Sequence, residues 1–218
     1  MKQNQSGFTL IEIAIVLVII GLLLGGVLKG QELIQSAKIK NIIAEFSGTT
    51  VGFYGYQDRY KTIPGDDIGA VARWTTASGV ANGDGNSILK GAFNSTATAD
   101  ESFQAWAHMR QAGFIGGSGG GGPTNAYNGV LGLQNGADSF SNGTAGTGFS
   151  GVIICESHVP DKAAAAIDNQ LDDGQPNTGI VRAVVEVSGA VPPVDDKLKA
   201  ATTYIETGTT YYTICKSL

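Results

Sequence analysis

Apolar and polar positions divide the first sixty residues into two halves of one predicted helix. From Phe8 to Leu28 the chain is apolar at almost every position, and as an α-helix this run is about 31 Å long, close to the roughly 30 Å hydrocarbon thickness of a bilayer. From residue 29 to about 60 the apolar positions follow the helical period and favour one face. We expect a membrane-spanning segment at 8–28 and an amphipathic half at 29–60.

A head over residues 61–218 is predicted to follow. Pro64 and Gly65 end the long helix, since the residue before a proline disfavours the α region. Residues 69–150 are rich in loop-forming residues, with one predicted helix at 101–112, entered by a capping box at 98–101 and closed by Gly113.

The pattern changes after Gly151. β-Branched and aromatic residues predict strands at 152–155, 180–187 and 209–215, with a helix at 161–171 between the first two. The prolines and acids of residues 192–196 predict a surface connection. The expected fold class is α+β: a long N-terminal helix packed on a small, mostly antiparallel sheet, with a loop-rich insertion.

One acid interrupts the apolar segment. Glu12 is the only ionisable side chain between Phe8 and Leu28, and an intramembrane acid costs a few kcal/mol and needs a cationic partner. Cleavage between Gly7 and Phe8 would create such a cation, because the new α-amino group is charged near neutral pH. That amine lies about one helical turn from Glu12 of its own chain, and it can instead neutralise Glu12 of a parallel helix that is displaced along its axis.

The hexapeptide Gly7-Phe8-Thr9-Leu10-Ile11-Glu12 resembles the processing site of type IV prepilins and of the pseudopilins of type II secretion. The resemblance implies a leader at 1–7 that a prepilin peptidase removes, N-methylation of Phe8, and an assembly role for Glu12. It also implies identical or related pilin subunits and an inner-membrane assembly platform as partners. The precursor would lie in the bacterial inner membrane before it joins a periplasmic or extracellular filament.

Segments of the head also resemble heads of pilin-like proteins from Gram-negative bacteria: Ile63-Pro64-Gly65-Asp66, Trp74, residues 82–86, Glu101 with Ala105, Trp106 and His108, and residues 167–174. Against this family stand a secretory signal peptide, whose cleavage site would follow the apolar region, and a plain membrane anchor, which gives Glu12 no role. Within the family, a minor pilin or pseudopilin that primes or caps a filament remains an alternative. A membrane-anchored enzyme or binding domain is the alternative from another class. The sequence does not choose among adhesion, motility and secretion.

Four glycines lie within or just after the predicted span. Gly21 with Gly25 and Gly26 with Gly30 form two small-xxx-small pairs, which let helices approach closely. Pilins commonly carry a proline at the position of Lys29, and this chain does not, which argues against a melted segment near Gly21.

The exported part is acidic. The chain has a formal charge of −5, and its 14 Lys and Arg residues form no cluster, so we expect no direct nucleic-acid binding. Two cysteines, Cys155 and Cys215, lie on predicted strands, and an oxidising compartment favours a disulfide over two free thiols. The family's frequent C-terminal disulfide adds support.

Candidate chemistry in the head is sparse, and we expect a structural protein without enzymatic activity or a required cofactor. Asn82, Asp84 and Asn86 alternate with glycine as in a calcium loop, although the EF-hand pattern fails and an ordinary turn is the alternative. Asp168, Asp172 and Asp173 are expected to be solvated acids at a helix end rather than a metal cluster. We expect packing or surface roles for His108 and His158, and core roles for Trp74 and Trp106 in preference to adhesion.

Overall fold

The computed structural model describes residues 9–75, 79–137, 139–140, 146–187 and 200–218. Within these ranges the chain has an α+β fold with the elements α1 Leu10–Tyr60, α2 Ala70–Trp74, α3 Glu101–Gln111, β1 Leu131–Asn135, β2 Val152–Pro160, α4 Asp161–Leu171, β3 Val181–Val185 and β4 Tyr211–Ser217. The chain divides into two compact units, one ending at Lys38 and one from Ile39 to Leu218. The expectations for Gly7, Phe8 and residues 192–196 concern positions outside the described residues.

α1 is a single helix of 51 residues, as the apolar and amphipathic patterns predicted. In the unit that ends at Lys38 its large apolar side chains are exposed, from Leu10 at 91% to Ile34 at 60%. The helix continues through Lys29, in agreement with the absence of a helix-breaking proline at that position.

The second unit is built on a four-stranded antiparallel sheet with the order β1-β2-β4-β3. The central strands β2 and β4 place Cys155 directly opposite Cys215, and the two residues form the disulfide. The predicted pairing is therefore confirmed. A bulge between Glu156 and Val159 shifts the register of β2, and His158 takes a positive φ of 62° there.

The core lies between the C-terminal part of α1 and the sheet. The helix contributes Ile42, Phe46, Phe53 and Tyr56 to one buried cluster, while Ile39 and Ile43 pack at its edge. This arrangement confirms the predicted α+β fold class and the predicted face of the helix. The sheet and the neighbouring elements supply Trp106, Leu131, Leu133, Ile154, Ile167, Tyr212 and Ile214.

Two elements were missed in the region predicted as loop-rich. β1 is an edge strand whose sequence Leu131-Gly132-Leu133-Gln134-Asn135 has weak β propensity, and it forms because it pairs with β2. The helix α2 has only five residues, too few to give a periodic signal. Strands β2 and β4 also extend beyond their predicted ends, to Pro160 and Ser217.

The predicted capping box at the start of α3 is wrong. The helix begins after Asp100, whose side chain makes no capping hydrogen bond, and the Glu101 carboxylate accepts instead from the backbone amides of Asp84 and Lys90. Tertiary contacts therefore outcompete the local cap. The predicted end is confirmed, since Gly113 has a φ of 80° and its N–H donates to the carbonyl of Arg110.

Candidate functional site

The N-terminus of α1 carries a reciprocal cap that the sequence analysis did not identify. Thr9 donates from its backbone N–H and from its hydroxyl to Glu12 Oε2, at 2.8 and 2.7 Å, and Glu12 N–H donates to Thr9 Oγ1 at 3.3 Å. The spacing Thr-x-x-Glu is the sequence signal of such a capping box. The structure therefore gives Glu12 a contact within its own chain besides any contact between chains.

The helix around Glu12 has an apolar surface without a protein partner in the described part of the chain. Ile11, Ile13, Ile15 and Val16 are about half exposed or more, and α1 is long and apolar enough to cross a membrane. Glu12 thus lies within one helical turn of side chains that water solvates poorly. Such a surface needs lipid or other apolar helices around it.

The small-xxx-small pairs lie on the same exposed half of the helix. A Cβ atom built on Gly21, Gly25, Gly26 or Gly30 would meet no atom within 4 Å apart from the helix itself. These glycines therefore serve no packing purpose inside the described chain. Close approach of another helix is the use that such a row permits.

The loop that was considered for calcium closes around Asp66. The two Asp66 oxygens accept from the backbone amides of Gly85, Asn86 and Ser87, at 2.6 to 3.2 Å. Gly83 lies so close that an added Cβ would come within 2.3 Å of Asp66 Cα. A buried acid from the turn after α1 thus acts as the anchor of this loop.

The side chains of the three calcium candidates already take part in hydrogen bonds around the loop. Asn82 and Asn86 use their side-chain oxygens to accept the backbone amides of Val71 and Ile88. The carboxylates that do converge within 4.8 Å belong to Asp66, Asp84 and Glu101. Lys90 pairs with Asp84, and this hydrogen bond holds the pKa of the Asp84 carboxyl below its usual range. Calcium binding stays a prediction, with an altered set of candidate ligands.

One of the three acids at the end of α4 differs from the expectation, whereas Asp172 is half-buried and Asp173 exposed. Asp168 is completely buried, accepts from the hydroxyl of Tyr204 at 2.7 Å, and has its pKa raised to about 6 by burial. The expectation of a solvated helix-end acid is therefore wrong for this residue. Asp172 and Asp173 accept hydrogen bonds from the turn that follows, including those from Val181 N–H and the Thr178 hydroxyl. One oxygen from each of the three carboxylates lies within 4.8 Å of the others. The hydrogen bonds described above account for this arrangement as part of the fold.

His108 and Trp106 have packing roles, as expected. His108 is completely buried, accepts from Gly65 N–H at 2.9 Å through Nδ1, and contacts the Ala81 carbonyl at 2.8 Å through Nε2. Burial lowers the pKa of this imidazole to about 4, so the ring is neutral at pH 7. Trp106 is 1% exposed and belongs to the main core. Trp74 is partly buried and packs edge-on against the Tyr60 ring.

His158 lies at the surface of the sheet. Its ring stacks on Tyr211 at a centroid distance of 4.2 Å, and Nδ1 lies 3.5 Å from a Glu186 oxygen. The expected surface or packing role is confirmed for this residue as well.

A pair of acids in the core was missed by the sequence analysis. Glu156 on β2 is completely buried, and its carboxyl group lies beside the side chains of Glu45 and Asn125. Burial, followed by the charge of Glu45 on α1, raises its pKa well above the usual value. The pKa of Glu45 is also raised by burial. A lone acid within the apolar run of β2 was the available signal.

Glu45 also lines a cavity of about 260 Å³ that opens to the surface beside α1. The remaining walls are predominantly apolar and include Gly48, Trp106, Phe114, Ile115 and Leu131. The cavity therefore combines an apolar lining with an acidic edge.

One comparison with known proteins finds a similarity, and it lies at the N-terminus of the chain. Residues 2–28 match the family model described as the prokaryotic N-terminal methylation motif. No curated protein shows significant similarity to the chain. The matched segment contains Gly7, Phe8 and Glu12, and it indicates an N-terminal signal of the type IV prepilin and pseudopilin kind.

Proposed function

We propose that this protein is a structural subunit of a type IV pilus-like filament, which a prepilin peptidase processes and which assembles through its N-terminal helix. The observation that carries the proposal is Glu12, an acid in the first turn of an exposed apolar helix and within the matched methylation motif. The proposal divides the chain into a leader at 1–7, a helix at 8–60 and a head at 61–218.

The cap alone is too weak to explain an acid at this position. A side-chain cap stabilises a helix by roughly 0.5 to 2 kcal/mol, whereas an unpaired ion buried in a low-dielectric filament core costs on the order of several kcal/mol. A cation therefore has to supply the balance. The α-amino group of Phe8 after cleavage is such a cation, and an axially displaced neighbour would present it to Glu12 in a low-dielectric filament core.

The order of events follows from what surrounds the apolar part of α1 at each stage. Before assembly, the apolar part of α1 is stored in the bacterial inner membrane, where lipid covers its side chains. During assembly, packing against other copies replaces lipid contacts, and an inner-membrane platform brings the subunits together. Cleavage after Gly7 and methylation of Phe8 precede this step and define the chain end that faces Glu12.

Substitution of Glu12 tests the proposal because capping and charge can be separated. Glu12→Gln keeps an oxygen for the Thr9 N–H but removes the charge, and we expect membrane insertion and cleavage with at least about tenfold fewer filaments. Filament yield is measured by electron microscopy and by immunoblotting of sheared surface fibres. Mass spectrometry of the subunit locates its N-terminus and methyl group.

Thr9→Ala is the matched control. It removes both Thr9 side-chain contacts but leaves the charge of Glu12, and we expect a filament yield within about twofold of wild type. Normal yield with Glu12→Gln, or a subunit that still begins at Met1, would contradict the proposal.

A minor pilin or pseudopilin is the second candidate. The observation that favours it is the unbroken course of α1 through Lys29, where major pilins commonly carry a proline. Its abundance in sheared filaments distinguishes the two, since a priming or capping subunit is present in few copies per filament.

A membrane-anchored enzyme or binding domain is the alternative from another class. It requires a reactive constellation in the head, whereas the buried acids described above serve the fold or lack a recognisable reaction partner. Adhesion, motility and secretion each require that the filament forms first.

A further inference from the structure

We propose that the cavity at Glu45 receives the Lys40 side chain of a second copy of this chain, which forms an ion pair that fixes the axial register between neighbouring subunits. The inference rests on the proposed function, because it names a contact between subunits of the filament. It concerns residues of the second unit and does not involve Glu12.

The acceptor side of the contact brings two acids together. Glu45 lines the cavity, and its carboxyl group lies beside that of the fully buried Glu156, whose pKa is raised by burial and then by the charge of Glu45. Two neighbouring carboxylates repel each other when both are ionised. Among the described residues no Lys, Arg or His forms an ion pair with either acid. A cation from outside the chain that pairs with Glu45 would therefore oppose this repulsion.

The cavity has the shape and lining for one amphipathic side chain. Its volume of about 260 Å³ lies below the roughly 300 to 1,000 Å³ of typical small-molecule sites. Trp106, Phe114 and Ile115 contribute apolar surface for a lysine stem, while Glu45 supplies the charge for the ammonium group. At Gly48 no atom lies within 4 Å of an added Cβ, so the α1 side of the cavity is open.

The chain offers a suitable cation on the same helix. Lys29 pairs with Glu32, the Arg59 guanidinium lies over the Tyr60 ring, and Lys38 already has an interaction. Lys40 is exposed, and within the described structure it makes no hydrogen bond or ion pair. It is therefore available without the loss of an existing contact.

Lys40 and Glu45 lie on different faces of α1, which suits a contact between different surfaces of two copies. At about 100° per residue, Lys40 and Glu45 are separated by about 140° around α1. Lys40 lies opposite the buried face that includes Ile42 and Phe46, and Glu45 lies at the edge of that face. A contact that uses different surfaces on the two copies can repeat along a filament.

The axial spacing agrees with the proposed contact at the N-terminus. Lys40 precedes Glu45 by five residues, about 7.5 Å along a helix, and Phe8 precedes Glu12 by four residues, about 6 Å. In both pairs the cation lies on the N-terminal side of the acid. One axial displacement of parallel copies in one direction therefore serves both pairs.

Zero-length cross-linking tests the contact directly. Filaments of the full chain are treated with a carbodiimide, which joins a lysine amine to a carboxylate in ionic contact, and the digested product is analysed by mass spectrometry. We expect an amide between Lys40 and Glu45 peptides in an SDS-stable dimer. Lys40→Arg keeps the charge but lacks the reactive amine, so it should preserve filaments and abolish this cross-link.

Neutral substitutions measure the importance of the contact. Lys40→Gln and Glu45→Gln should each lower filament yield at least about tenfold, and the double variant should be no worse than either, because both remove the same pair. Lys162→Gln changes another exposed lysine and should leave the yield unchanged. Retention of the Cys155–Cys215 disulfide and of head resistance to protease shows that each variant is folded.

The outcomes separate this inference from the filament proposal. Wild-type filaments whose Glu45 is joined to a different lysine, or to none, overturn the Lys40 contact and leave the filament proposal standing. Normal yield in both neutral variants overturns it as well. The absence of any polymer from wild-type cells would contradict the proposed function itself.

Discussion

At the residue scale, the environment of an acid decides its chemistry more than its identity does. Glu12 lies in a cap at an exposed helix end, Asp66 accepts hydrogen bonds from three backbone amides, and Glu156 is buried beside the carboxyl group of Glu45. The first carboxyl group caps its own helix, the second anchors a loop, and the third has its pKa raised well above the usual value.

Glu156 makes the stability of the head depend on pH. Its pKa is raised by burial and then by the charge of Glu45, while the amide of Asn125 acts in the opposite direction. The folded state therefore binds more protons than the unfolded state between the ordinary and the raised pKa. The stabilisation is complete below the ordinary carboxyl pKa and is lost as the pH rises through the raised value.

Replacement of Glu156 tests this linkage. We expect Glu156→Gln to be more stable than wild type at pH 8 and to lose part of the decline in stability between pH 5 and pH 8. Thermal unfolding of the full chain in detergent across this pH range measures the effect. The exposed Glu206→Gln should follow wild type, and a Glu156→Gln curve that coincides with wild type would refute the linkage.

At the element scale, pairing between distant segments holds the head together. The disulfide joins the central strands β2 and β4 across a sequence separation of 60 residues, and the edge strand β1 exists because β2 provides its ladder. In α3, likewise, the Glu101 carboxylate accepts hydrogen bonds from a distant loop instead of capping its own helix. Contacts of long range therefore outweigh local propensities in this unit.

Removal of the disulfide should destabilise the head strongly. For a loop of this length the chain-entropy model gives roughly 4 kcal/mol, so the double variant Cys155→Ala/Cys215→Ala should lose a similar free energy of unfolding. Denaturant unfolding of the full chain in detergent provides the measurement. A reducing agent should weaken the wild type but not the variant, and equal stability of the two oxidised proteins would argue against the expectation.

The loop at residues 82–90 provides a test for calcium. Bound calcium would use carboxylates of Asp66, Asp84 or Glu101 and compete with Lys90 for Asp84. If the site is used, chelation with EGTA lowers the unfolding temperature of wild type by several degrees and has no effect on Asp84→Asn. The same unfolding temperature of wild type with calcium and with chelator would dispose of the calcium prediction.

At the scale of the whole molecule, the two units are suited to different surroundings. The unit that ends at Lys38 exposes apolar side chains from Leu10 onward, whereas the unit from Ile39 buries two aromatic-rich clusters around a disulfide-linked sheet. Lipid or a bundle of like helices can cover the first surface, and water suits the acidic head. The proposed filament subunit, which would move from a membrane to a filament, would need this combination.

The sequence by itself determined the long helix, its buried face and the helix at 161–171, because each depends on local periodicity. It also determined the Cys155–Cys215 pairing, because the chain has only two cysteines. It also determined the motif that contains Gly7, Phe8 and Glu12. Only the tertiary structure decided that β1 is a strand, that Glu101 accepts hydrogen bonds from a distant loop instead of capping its helix, and that Asp168 and Glu156 are buried. These features arise from contacts between segments far apart in the chain, and the free energies of such contacts exceed the local preferences that a sequence pattern expresses.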